Sequence, residues 1–293
     1  MPVLSLAEVM RLELSGPKHP VPVKIYLPNV AAEPMPVVLV SHGLGGSREG
    51  STYLGKHWSA AGYAVVAIQH PGSDESVWKD VPKWRRRPVL KRAASAKSFM
   101  NRLSDVTTVL DYIEGSRLAE THPLHNRVDP SRIALSGHSF GAVTSQAIMG
   151  QSFRQPSDAP FLDNRIDCVI LMSPSPSKHL SNDDAFNSVT LPVLCMTGTE
   201  DGSPLQRDFN PESRQQVYAA LPEGQAYQIV FDQGAHSIFS DFRNTDHRYQ
   251  AAIQAVTTVF LDAQLKRDPE ALNRLRSNAV TRQLEPEDEW DWK

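Results

Sequence analysis

Short apolar runs alternate along the chain with longer segments in which apolar residues recur every three or four positions. Six of the runs are rich in Val and Ile and mostly too continuous to have a polar face, which is typical of parallel strands buried on both sides. These predicted strands are Pro36–Ser41, Tyr63–Gln69, Arg132–Ser136, Asp167–Ser173, Pro192–Thr197 and Tyr227–Asp232. Two earlier runs, Val9–Leu14 and Val21–Leu27, alternate better and predict an antiparallel pair at the edge of a sheet.

The segments between the runs have the period of amphipathic helices. The predicted helices are Thr52–Ala61, Ala94–Ile113, Gly141–Met149, Glu212–Ala220 and His247–Leu265. This alternation predicts an α/β fold, with a mostly parallel central sheet of about eight strands and helices on both faces. We expect a single domain over residues 1–293, with edge strands in residues 1–30 and an appended surface helix and polar tail in residues 268–293. Two long connections, Pro71–Ala93 and Pro174–Thr190, are predicted as loops.

The composition of the chain excludes several classes of protein. The 293 residues are 40% hydrophobic, and 30 Lys and Arg against 33 Asp and Glu give a net charge of −3, so no overall basic field favours a nucleic acid partner. Apolar runs stay far below the roughly 20 residues of a membrane span. The start of the chain lacks the pattern of a signal peptide, which favours the cytoplasm, although a chain with its leader removed would begin in the same way. Cys168 and Cys195 lie in apolar runs and predict buried, unreactive thiols.

The pentapeptide Gly137-His138-Ser139-Phe140-Gly141 follows a predicted strand and opens a predicted helix. This is the context of a G-x-S-x-G nucleophile elbow. Such a sharp turn brings the backbone too close for a β-carbon two residues on either side of its tip, and it lifts the strained tip residue above the sheet. The alternative is a tight turn with an ordinary serine. We expect Ser139 to be a nucleophile and the His138 side chain to point away from its hydroxyl.

A serine hydroxyl needs a base, and the base needs an orienting acid. With an elbow of this kind the acid and then the histidine follow the serine along the chain. Of the later histidines, His179, His236 and His247, we expect His236 to be the base, because it comes just after the last predicted strand. Asp201 is the expected acid, after the strand Pro192–Thr197, with Glu200 as its alternative; an exposed acidic loop is a further reading.

The glycine-rich segment His42-Gly43-Leu44-Gly45-Gly46 follows another predicted strand. Backbone N–H groups preset in such a loop stabilise the negative charge of a tetrahedral intermediate. We expect one oxyanion donor at Phe140, the residue after the nucleophile, and the second at Leu44, with Gly43 as the alternative. A phosphate loop is disfavoured because the spacing fits neither of the common phosphate-binding glycine patterns.

Two charged clusters have weaker interpretations. The run Arg85-Arg86-Arg87, with Trp78 and Trp84, fits either a grip on an anionic or lipid surface or a solvated loop. Arg102 and Asp105, three residues apart on a predicted helix, suggest a surface ion pair. No pattern predicts a metal site.

Three segments carry a resemblance to known proteins: residues 41–48, residues 62–74 and the elbow at 137–141. They resemble bacterial serine hydrolases described as predicted dienelactone hydrolases, and they are similar to the plasma-type platelet-activating-factor acetylhydrolases, over about residues 36–245. The run His236–Phe242 adds to the likeness. The resemblance implies an α/β-hydrolase fold, no cofactor, and hydrolysis of short or truncated acyl esters.

The chain departs from both families at one position each. Dienelactone hydrolases use a cysteine nucleophile, whereas Ser139 holds the elbow here. The acetylhydrolases take their acid after the preceding strand, where this chain has Ser173. The arrangement is therefore more similar to that of cutinase-type esterases. We expect a serine carboxylesterase acting on a small or lipid-like ester through Ser139, His236 and Asp201; the alternatives are a cutinase-like polyesterase or lipase, and a non-catalytic binding protein with a hydrolase fold.

Overall fold

The computed structural model describes residues 7–28, 33–206, 209–241 and 246–293. Residues 1–6, where a leader would start, and Phe242, the last residue of the resembling run, lie outside the described residues. The chain divides into two compact units, with the boundary between Ile133 and Ala134. The single domain expected from the sequence stays a prediction.

The first unit begins with the antiparallel strands that the alternating pattern predicted. Its elements are β1 (Glu8–Leu14), β2 (Val21–Leu27), β3 (Met35–Ser41), α1 (Thr52–Ala60), β4 (Ala64–Ile68), α2 (Lys83–Ala93) and α3 (Ala96–Gly115). Strands lie in the order β1-β2-β4-β3. The β3–β4 pair is parallel, and both strands are buried along their whole length, as their continuous apolar sequences predict.

The second unit contains a run of parallel strands. Its elements are β5 (Val128–His138, which starts before the boundary), α4 (Phe140–Ile148), β6 (Cys168–Met172), α5 (Asn182–Phe186), β7 (Val193–Glu200), α6 (Gln215–Ala220), β8 (Ala226–Ala235), α7 (His247–Leu265), α8 (Pro269–Leu275) and β9 (Glu289–Trp292). Strands β5, β6, β7 and β8 are neighbours in that order and parallel, and β9 adds an antiparallel edge. Both cysteines are buried, Cys168 in β6 and Cys195 in β7.

The predicted strands and helices are all present, so the mostly parallel α/β fold is confirmed. Three elements were not predicted: α2, α5 and β9. Helix α2 has Pro88 in its interior and no buried residue, so it lacks the apolar stripe that marks a helix in sequence. Strand β9 is four residues of an acidic segment, and it is held by the stacking of Trp290 on Tyr227, with ring centroids 6.0 Å apart. Within the described ranges, every helix is too short or too polar to cross a bilayer.

Strands β7 and β8 approach unusually closely at their carboxyl ends. A β-carbon on Gly198 would lie 2.1 Å from the carbonyl oxygen of Gly234. The register shifts beyond Gly198, so that Glu200 comes to lie opposite Ala235. Asp201 and His236 are the residues that directly follow β7 and β8, so they lie side by side. The close approach of Gly198 and Gly234 brings their side chains together.

We predict that Gly198→Ala destabilises the protein, because the added methyl group must displace the backbone of β8 rather than a flexible side chain. Forced overpacking of this kind costs about 1–3 kcal/mol. The measurement is the free energy of unfolding in urea. The matched control is Gly202→Ala, four residues later, where an added β-carbon meets no atom within 4 Å. Equal stability of the two variants would contradict the prediction.

Candidate active site

Ser139 occupies a strained turn between β5 and α4. Its backbone has φ 55° and ψ −113°, a region that costs a residue other than glycine about 1–3 kcal/mol. A β-carbon on Gly137 would lie 2.2 Å from the carbonyl oxygen of Gly141, so a side chain at position 137 is excluded. The Ser139 N–H donates to the carbonyl of Met172 at the end of β6, over 2.9 Å. The geometry is that of the sharp strand-to-helix turn expected from the pentapeptide.

Ser139, His236 and Asp201 form a continuous chain of hydrogen bonds. The Ser139 Oγ lies 2.9 Å from His236 Nε2, and His236 Nδ1 lies 2.7 Å from Asp201 Oδ1. A carboxylate oxygen accepts, so Nδ1 carries the proton and Nε2 is free to accept from the serine hydroxyl. The imidazole is thereby held in the tautomer that a general base for Ser139 requires.

The Asp201 carboxylate is buried and held in its ionised form. Burial alone would raise its pKa, but the hydrogen bond from His236 and the charge of Arg214 outweigh burial, and the pKa is lowered. Arg214 Nε lies 3.0 Å from Oδ1, and the Thr197 hydroxyl donates to Oδ2 over 2.9 Å. Glu200, the alternative acid, is exposed at the end of β7. The structure thus brings Asp201, and not Glu200, to the histidine ring.

Arg214 is a residue of this site that the sequence reasoning missed. Its buried guanidinium donates to four backbone carbonyls, those of Asp201, Gly202, Ser173 and Pro174, at 2.8–3.1 Å. It therefore ties the loop after β7 to the loop after β6 while its charge faces the carboxylate. A lone arginine in a short 3₁₀ turn, Pro211–Arg214, has no signal in sequence that marks it as buried.

His138 lies beside His236, outside the chain of hydrogen bonds. Its Nε2–H donates to the backbone carbonyl of His236 over 3.1 Å, and the two ring centroids are 4.9 Å apart. Burial, and then the neighbouring His236 ring, lower the pKa of His138 to about 3. A neutral His138 keeps its donor on the carbonyl and helps to fix the loop that carries His236. The other two downstream histidines, His179 and His247, are exposed and make no hydrogen bond to Ser139.

The two expected oxyanion donors lie in different units. Phe140 is the first residue of α4, where backbone N–H groups have no acceptor within the helix. Leu44 lies in the first unit, in the loop after β3, and its N–H donates no hydrogen bond to any part of the chain that the structure describes. The carbonyls that flank Leu44 are engaged: His42 accepts from Arg102 over 2.7 Å, and Gly45 accepts from the Trp78 indole over 2.7 Å.

Arg102 and Asp105 are not a surface ion pair, so that prediction is wrong. Both are buried on the inner face of α3. Burial raises the pKa of Asp105 to about 6, against the opposing charges of His19 and Arg102. A spacing of three residues on a helix shows only that two side chains share a face, and here the shared face is the one that packs inward.

Asp105 completes a second chain of hydrogen bonds with the same residue types as the first. Ser41 Oγ lies 2.9 Å from His70 Nε2, and His70 Nδ1 lies 2.9 Å from Asp105 Oδ2. Ser41 and His70 have no accessible surface, however, so no substrate reaches this serine. The cluster is a set of buried polar groups in the first unit, each with a hydrogen-bond partner. The backbone N–H of His70 also donates to the ring of His42.

The chain matches the family model described as the alpha/beta hydrolase fold over residues 36–193, more than half of its length. It belongs to the alpha/beta hydrolase family. No curated protein matches the chain. In the part of this hydrolase that the structure describes, no group of three His, Cys, Asp or Glu side chains is arranged to hold a metal ion.

A solved structure with the same fold is a ferulic acid esterase from Streptomyces cinnamoneus. It is 18% identical to this hydrolase, with a TM-score of 0.66, and the match covers 99% of this chain and 97% of that one. The likeness extends over nearly the whole of both chains and shows the fold. The family match supports a hydrolase.

We predict that Arg214→Gln raises the pKa of Asp201, because it removes the positive charge 3.0 Å from Oδ1. The carboxylate then takes up a proton at higher pH, which an NMR titration of the Asp201 carboxyl carbon measures directly. Arg214→Lys is the control: it keeps the charge while losing most of the carbonyl contacts, so the Asp201 carboxyl titrates close to where it does in the unchanged protein. An Asp201 titration that moves equally in both variants would contradict the electrostatic role.

Proposed function

We propose that this alpha/beta hydrolase is a serine carboxylic-ester hydrolase that works through an acyl-enzyme intermediate. The observation that carries the proposal is the chain of hydrogen bonds from Ser139 through His236 to Asp201, with a nucleophile that is half-buried rather than enclosed. The buried set at Ser41 has the same chemistry but no access. This contrast supports Ser139 as the reacting serine.

In the acylation step, the Ser139 oxygen attacks the acyl carbon while His236 Nε2 takes the hydroxyl proton. The imidazolium formed is stabilised by Asp201, which stays ionised because Arg214 and the hydrogen bond from His236 lower its pKa. His236 then gives the proton to the departing alcohol. In the second step, water attacks the acyl-enzyme with the same histidine as base, and Ser139 is released.

The negative charge of each tetrahedral intermediate falls on the former carbonyl oxygen. We assign its donors to the Phe140 and Leu44 amides; one donor of this kind is worth about 10²–10³ in kcat. For Phe140 the support is its place at the start of α4. For Leu44 the support is its N–H, which donates to no acceptor among the described residues, in a loop where nearby carbonyls accept from Arg102 and Trp78.

For the substrate we propose a short-chain or truncated acyl ester, as the resemblance to dienelactone hydrolase-like and acetylhydrolase-like proteins implies, with no cofactor. The cutinase-type position of Asp201, after β7, supports a polyester or lipid ester as the second candidate. The ferulic acid esterase of the same fold adds feruloyl esters to the set to be compared.

We predict that Ser139→Ala lowers the turnover of p-nitrophenyl acetate on the order of 10⁶-fold, the loss seen when a catalytic serine is removed. Asp201→Asn should lower it by about 10⁴-fold, because the histidine is no longer held in the required tautomer. The checks are initial rates and labelling by a fluorophosphonate, which should mark the unchanged protein and not Ser139→Ala. Full activity in a folded Ser139→Ala variant would refute the mechanism, and an unlabelled, inactive wild-type protein would favour a non-catalytic binding role.

We predict that kcat/KM falls as the acyl chain of a p-nitrophenyl ester is lengthened from acetyl to palmitoyl. The measurement is a panel of such esters together with a feruloyl ester and an aliphatic polyester film. A maximum at long chains, or release of monomers from the film faster than acetyl-ester hydrolysis, would replace the short-chain assignment with the lipase or polyesterase alternative.

A further inference from the structure

Helix α2 stands on the surface of the first unit with an unusual sequence. Its eleven residues contain six basic side chains and no acidic one, in a chain whose net charge is −3. None of its residues is buried.

One stripe of α2 packs against the protein. Arg86 and Leu90, four residues apart, are half-buried: the guanidinium of Arg86 lies 4.7 Å from the Trp78 ring centre, and Leu90 contacts the loop at Gly45. A β-carbon on Gly45 would lie 2.7 Å from Leu90 Cδ2, so the helix sits directly on the loop after β3. The helix is therefore fixed in orientation, and its other side is turned to solvent.

The outward side combines positive charge with an exposed aromatic ring. Arg85, Lys91 and Arg92 are exposed, and the Trp84 side chain is 73% exposed, with the Arg85 guanidinium 4.4 Å from its ring centre. Tryptophan carries a large apolar area with a polar tip, and a surface helix that pairs it with basic residues has the composition of helices that bind at the membrane interface.

We propose that the outward face of α2, formed by Trp84, Arg85, Lys91 and Arg92, is a docking surface for a bilayer containing anionic lipid. Lipid phosphates pair with the basic side chains of this face, and Trp84 enters the headgroup region. Trp84 fits a bilayer, because an exposed tryptophan places its amphipathic ring at the headgroup level of a membrane. Since Leu90 packs on Gly45, docking brings the bilayer to the side of the molecule that carries the loop of Leu44.

The test is co-sedimentation with vesicles of phosphatidylcholine alone and of an equimolar mixture with phosphatidylglycerol, at low and at physiological ionic strength. We expect binding to the anionic vesicles only, weakened by salt. The triple variant Arg85→Gln/Lys91→Gln/Arg92→Gln should bind about a hundredfold less tightly, since each basic residue near an anionic surface contributes about fivefold. Trp84→Ala should also weaken binding.

Matched controls remove the same charge and the same apolar exposure elsewhere. Lys56→Gln/Arg274→Gln/Arg282→Gln takes three exposed basic residues from other elements, and Leu118→Ala removes a side chain that is 87% exposed. Both should bind vesicles as the unchanged protein does. All variants are checked for an unchanged unfolding transition, and the binding readout does not depend on ester hydrolysis.

Three results would overturn the proposal. The first is equal binding to neutral and anionic vesicles. The second is an equal loss in the α2 triple variant and in its control, which would assign any binding to the overall charge. The third is tighter binding to a single-stranded RNA oligonucleotide than to anionic vesicles, with Trp84→Ala unchanged on vesicles, which would assign the basic face to nucleic acid instead.

Discussion

A methyl group at position 198 would lie 2.1 Å from the Gly234 carbonyl, and one at position 137 would lie 2.2 Å from the Gly141 carbonyl. These two contacts leave room for hydrogen atoms alone. The close approach at Gly198 lets β7 and β8 end with Asp201 and His236 side by side. The close approach at Gly137 allows the sharp turn that places the Ser139 hydroxyl next to the His236 ring. The 2.7 Å and 2.9 Å hydrogen bonds of the site depend on both approaches.

Two buried arginines perform the same task in the two units. Arg214 donates to carbonyls of the loops after β6 and β7, and Arg102 donates to the carbonyl of His42 in the loop after β3. A guanidinium has several N–H donors in a fixed plane, so it can saturate carbonyls that point inward where a strand has ended. Each arginine also has a carboxylate near it, Asp201 and Asp105 respectively, whose charge offsets the cost of burying the cation.

Much of the fold and of the site was predictable from sequence because it rests on local patterns. Continuous Val- and Ile-rich runs identified the parallel strands, and the glycine spacing around Ser139 identified the elbow. His236 and Asp201 followed from their place after predicted strands. Arg214 and the inward orientation of Arg102 were not predictable, because burial of a charged side chain depends on carbonyls contributed by distant segments. Helix α2 was missed for a related reason, since its residues avoid the apolar period on which helix prediction relies.

The strain at Ser139 resides in φ and ψ, and the hydroxyl contributes nothing to it. The turn therefore determines where the side chain of residue 139 lies, and it does not determine which atom of that side chain reacts. A sulfur atom would be carried to the same position by the same turn. The backbone that positions the nucleophile is therefore independent of the atom that reacts. The same turn can present a hydroxyl oxygen or a thiolate sulfur to a substrate.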